Sequence, residues 1–111
     1  MKVGQEETGG EGEPSGSLDR VKRLHKRLFR LNEKITQIDA EARQVEAELE
    51  YHRSINEDAQ RDAAVGNYID REEAGLTAAD VRRFEKTLTA LNQRKARLVD
   101  KRSQLLAKLP D

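Results

Sequence analysis

VKRLHKRLFRLNEKITQIDAEARQVEAEL, residues 21–49, decides how this chain folds. Stepping alternately three and four residues from Val21 lands on Leu24, Leu28, Leu31, Ile35, Ile38, Ala42, Val45 and Leu49. All nine positions are apolar, and the residues between them are mostly charged. Apolar first and fourth places of a seven-residue repeat put one narrow stripe along a helix, the pattern of a coiled coil. Continued toward the C-terminus, the stripe reads His52, Asn56, Ala59 and Ala63, so it becomes small and polar. Neither Pro nor Gly interrupts residues 17–65. Ser17 can cap the start. One long helix is expected over 18–65, roughly 70 Å in length.

Composition agrees with a rod rather than a globule. The chain has 111 residues, of which 38% are charged, and it contains no Cys and no Trp. Two Phe and two Tyr cannot surround a globular core. The same composition excludes a transmembrane helix, a disulfide framework and a cysteine-ligated metal. Twenty-one basic and twenty-one acidic residues cancel, which speaks against a general nucleic-acid binder.

Outward from the first stripe, residues 1–17 hold five Gly, four Glu, two Ser and one Pro. Such a segment cannot offset its ordering entropy by burial, so a disordered acidic tail is expected. It has no apolar stretch of the kind that directs secretion, and a cytoplasmic protein is the expectation. On the other side, VGNYIDREEAGLT carries Gly66 and Gly75, both candidates to end a helix through the left-handed backbone. Gly66 is the expected end of the first helix, with continuation to Ala74 as the competitor. Asn67 could cap a short turn, but Thr77 with Asp80 three residues later is a capping-box variant. Leu76 and Val81 around Thr77 can form a hydrophobic staple. A turn over 66–76 and a second helix over 77–109 follow. Its stripe is Val81, Phe84, Leu88, Leu91, Leu98, Leu105 and Leu109, with Lys95 and Arg102 inside the seam and Pro110 as the stop.

Two long helices and a short connection make an all-α, two-helix antiparallel coiled-coil hairpin. Residues 39–50 hold five acids and one Arg; residues 92–103 hold five bases and one Asp. Folding about residue 71 sets these blocks opposite each other and favours the antiparallel arrangement. That register leaves Leu109 near residue 33. The apolar side chains of Leu18, Val21, Leu24, Leu28, Phe29 and Leu31 then extend past the second helix. An uncovered patch of that kind marks a contact surface. Self-association of two overhangs as a homodimer is the leading expectation, and another protein is the next.

The overhang is also basic. Arg20, Lys22, Arg23, Lys26, Arg27, Arg30 and Lys34 stand against Asp19 and Glu33, a net +5 over residues 18–34. Nucleic acid or another anionic surface is the alternative partner for Arg20, Lys22, Arg23, Lys26, Arg27 and Arg30. The turn carries Asp70, Glu72 and Glu73, a third candidate surface. In size the chain is similar to the small hairpin partners of type VII secretion systems, and Tyr68 and Glu72 share their Tyr-x-x-x-Glu spacing. It departs from them in having no Trp and in placing that spacing in the turn. The acids also resemble the acidic tip of Gre-type transcript-cleavage factors, which carry a further globular domain. Either likeness implies an effector of a large machine, a secretion apparatus or RNA polymerase, acting through the tip.

Chemistry is not indicated. His25 and His52 lie 27 residues apart on one helix, roughly 40 Å, and cannot share a metal within one chain. No phosphate-cradling Gly loop or His-Glu metal motif is present. The expectation is a non-enzymatic interaction or adaptor protein without cofactor.

Overall fold

The computed structural model describes the backbone of residues 12–110 and the side chains of residues 17–110. Two helices account for it: α1, Gly12–Val65, and α2, Tyr68–Leu106, with no strand among the described residues. They pack antiparallel into a rod measuring 89 × 25 × 15 Å. The all-α hairpin expected from the heptads is therefore what the chain forms. The tail expected over 1–17 lies, up to Glu11, outside the described residues. From Gly12 the backbone is helical. Pro14 falls in the first turn, where its missing N–H would lack an intrahelical partner in any case.

The connection is much shorter than the sequence suggested. The expected turn over 66–76 contracts to Gly66 and Asn67, and α2 starts nine residues before Thr77. Asn67 is the reason. Its side-chain oxygen accepts from the backbone N–H groups of Ile69 and Asp70 at 3.0 and 3.2 Å. The Asp70 carboxylate accepts in return from the Asn67 N–H at 3.3 Å, closing a capping box. Gly66 ends α1, but not through a left-handed backbone. A Cβ there would collide with the Asp70 carboxylate and the Asp62 carbonyl, so the tight reversal requires a residue without a side chain. Gly75 sits inside α2, exposed, with open space where a Cβ would go. At the other end α2 stops at Leu106, and tighter turns from Leu105 and Leu106 carry the chain to Pro110.

A two-residue turn resets the register. Lys95 Nζ meets Asp39 Oδ1 at 2.6 Å, and Arg102 Nη1 donates to Asn32 Oδ1 at 2.8 Å. Thr77 Oγ1 lies 3.0 Å from Asn56 Oδ1. All three pairs are centred within half a residue of residue 67, not on residue 71. The shift is eight residues of α1, roughly 12 Å. Of the two charge blocks expected to oppose, only Lys95 and Asp39 form an ion pair among the described residues.

In this register the seam of α2 extends back through Thr77 to Ala74, a three-four spacing without a gap. Leu24, Leu28, Leu31 and Leu105 form one buried cluster, with Leu98 and Leu109 packed on it. Ile38, Ala42 and Leu91 form a second, flanked by Val45, Leu88 and Leu98. Burying each large side chain contributes about 1.5–3 kcal/mol. Closer to the tip the seam is small and polar. His52 stacks on Phe84 with centroids 4.6 Å apart. Gln60 Nε2 donates to the Ala74 carbonyl at 3.1 Å and to Asn56 Oδ1 at 3.0 Å. Thr77, expected as a cap, instead lies across the seam from Asn56 within this polar layer.

Candidate interaction surfaces

The new register corrects the central functional expectation. Leu24, Leu28 and Leu31 are only 5–8% exposed, covered by α2 through Leu105 and Leu109. They are core, not a free partner interface. The eight-residue shift drew the end of α2 over them. By the same register Leu106 lies opposite residue 28 and Pro110 opposite residue 24, so only about the first twelve residues of α1 extend past the returning chain. Of the six expected interface residues, Leu18 and Phe29 remain open, 62% and 64% exposed, and Val21 is half-buried.

The basic candidates fare differently. Arg20, Lys22, Arg23, Lys26, Arg27 and Arg30 are all exposed, and none forms an ion pair with another described residue. They lie outside the seam because seam positions recur every three or four residues and leave the intervening places to solvent. From the opposite helix, residues 94–108 add six bases and one acid, a net +5 beside the net +5 of residues 18–34. Part of that charge gathers over one groove between the helices. Lys34 and Glu41 border it on α1, Arg94, Arg97 and Lys101 on α2, and Ile38 and Leu98 line it as well. Four cations thus face one carboxylate.

At the tip the three acids are not brought together. Asp70 is engaged in the capping box. The Tyr68 hydroxyl donates to Glu72 at 3.5 Å, and Glu73 projects freely. Among the described residues no group of three or more His, Cys, Asp or Glu could hold a metal ion. His25 is exposed at the open end, and His52 is held between Tyr51 and Phe84 in the seam region.

The sequence reading passed over the apolar tip. Val65, Tyr68, Ile69 and Leu76 are each 65–90% exposed. Ile69 and Leu76 are seven residues apart, hence on one face of α2, with Glu72 and Glu73 beside them. Their seven-residue spacing was visible, but only once Tyr68–Leu76 is read as helix. Residues 57–80 carry seven acids and two bases, a net −5. The rod is therefore bipolar, basic with exposed Leu18, Phe29 and Leu106 at one end, acidic with exposed Ile69 and Leu76 at the other. No described helix is long and apolar enough to cross a membrane. Comparison with protein-family models, with curated proteins and with solved structures found no match to this chain.

Proposed function

We propose that the chain is a non-catalytic coiled-coil adaptor of the cytoplasm that docks protein partners, its own copies or other chains, through the two ends of its rod. One observation carries this reading. The heptad seam is satisfied within the hairpin, and among the described residues seven of the eight large hydrophobics left exposed lie toward the ends, in surroundings of opposite charge. Exposed apolar side chains rimmed by charge mark contact surfaces. A pair of narrow helices also offers no water-excluding pocket for a reaction.

The test is positional. A photo-crosslinking residue is placed at Phe29, at Ile69 or at mid-rod Ala47 in the full chain, inside its native cell. Adducts from Phe29 and Ile69 but not from Ala47 support the reading. Equal capture from all three positions, or capture from Ala47 alone, would refute it.

A second reading has its own support in the groove bordered by Lys34, Arg94, Arg97 and Lys101. Those cations, together with Arg20 to Arg30, suit a polyanion such as duplex nucleic acid. Binding that neutralises several phosphates weakens steeply with added salt. A duplex titrated at two salt concentrations decides this: no binding at low salt removes the second reading.

A further inference from the structure

Leu18 and Phe29 are eleven residues apart, three helical turns, and so face nearly the same direction from α1. Lys22, Lys26 and Arg30 lie around them and outnumber the acids Asp19 and Glu33 nearby. Ile69 and Leu76 make the corresponding pair at the far end, on α2, beside Glu72 and Glu73. Neither pair belongs to the seam, which Leu24, Leu28, Leu31 and Leu105 fill at the open end and Ala74 at the tip. Each end thus carries what the other lacks: two large apolar side chains in a basic surround, and two in an acidic one.

We infer that a second copy of this chain covers both. Two rods lie side by side and antiparallel, the Ile69–Leu76 face of each against the Leu18–Phe29 face of its partner. The inference rests on the reading of the ends as docking surfaces and names their occupant. Charge selects this arrangement over its rivals. Pairing two open ends sets one net +5 stretch of α1 against another, and a parallel pair also sets tip against tip, −5 against −5. The antiparallel pair places unlike charge together at both ends. It is also closed: a two-fold axis makes the same contact twice, whereas end-to-end stacking leaves an unused end on every copy and grows without limit. Length permits it, since Leu18 and Val65 are 47 residues apart on α1, roughly 70 Å, within the 89 Å rod.

Sedimentation equilibrium on the full chain tests the pair, with three samples compared. Wild type should dimerise at low salt, its Kd rising roughly tenfold as ionic strength goes from about 0.05 to about 0.5 M. A tip reversal, Glu72→Lys with Glu73→Lys, puts lysines in place of the acids beside Ile69 and Leu76, takes residues 57–80 from net −5 to net −1, and should be monomeric. An open-end reversal, Lys26→Glu with Arg30→Glu, puts acids beside Leu18 and Phe29, takes residues 18–34 from net +5 to net +1, and should also be monomeric. An equimolar mixture of the two variants should recover a one-to-one pair, because each then meets its complement at both ends. Circular dichroism matching wild type shows that the hairpin itself is intact. A monomeric wild type at high micromolar concentration and low salt overturns the inference. Self-association that strengthens with salt, persists in both reversed variants, or is not restored on mixing does so equally. If wild type is monomeric but Phe29 and Ile69 still crosslink other proteins, the docking reading survives and only the identity of the partner fails.

Discussion

The open end and the tip of the hairpin share one seam but hold it closed by different means. At the open end Leu24, Leu28, Leu31 and Leu105 form a buried apolar cluster. Near the tip the seam positions are Asn56, Ala59, Ala74 and Thr77, and contact is made by hydrogen bonds through Asn56, Gln60 and Thr77. Apolar burial there is small, since Ala74 is the one buried hydrophobic in the first half of α2. Large aliphatic side chains supply most of the free energy but tolerate slippage by one heptad. Hydrogen bonds and a capped two-residue turn supply less, yet they admit one pairing. Stability thus concentrates at one end and register at the other.

This division can be broken most forcefully at the open end. Leu105→Ala removes the α2 member of the leucine cluster and should cost about 2–5 kcal/mol, read from chemical denaturation. A loss below about 1 kcal/mol would mean that the cluster does not anchor the rod. At the tip, Asn67→Ala deletes the cap and should cost about 1 kcal/mol. Its signature is local: the amides of Ile69 and Asp70 should exchange faster with solvent, while those near Leu105 keep their protection. The opposite sign is expected at Gly75, which occupies a helix interior with open space beside it. Gly75→Ala should stabilise the hairpin by about 0.5–1 kcal/mol, and a destabilisation would argue that this segment is not helical. Smallest of all is the bridge between Lys95 and Asp39. Its side chains are 40% and 35% exposed. Solvent screens such a pair, so Lys95→Gln should change stability by less than about 0.5 kcal/mol.

The leucine heptads from Val21 to Leu49 made the hairpin legible from sequence, because nothing but a helix places those residues on one line. The turn was harder. Two capping boxes stand ten residues apart, Asn67 with Asp70 and Thr77 with Asp80, and local chemistry scarcely separates them. The staple of Leu76 and Val81 favoured Thr77. What favours Asn67 is not local: starting α2 there brings Ala74 into the seam, sets Thr77 opposite Asn56 and carries Leu105 onto Leu24, Leu28 and Leu31. Helix growth from an existing cap adds a hydrogen bond per residue fixed, so the earlier start wins once those contacts reward it. The partner surface inherited this error. A turn over residues 66–76 made Leu24, Leu28 and Leu31 an overhang; a two-residue turn makes them core. The exposed basic side chains from Arg20 to Arg30 were legible regardless, because solvent-facing positions follow from the heptad alone.

Register is therefore the claim on which the rest depends, and the absence of native cysteine makes it simple to measure. Two double variants are compared with a short bifunctional thiol reagent, scoring intramolecular product: Asn32→Cys with Arg102→Cys, and Ala40→Cys with Arg102→Cys. Folding about residue 67 places Arg102 beside Asn32, whose side chains hydrogen-bond at 2.8 Å, and roughly 12 Å along α1 from Ala40. The first variant should crosslink rapidly and the second slowly or not at all. Preferential closure of the Ala40 and Arg102 pair would restore the long turn, uncover the leucines of the open end and contradict the account.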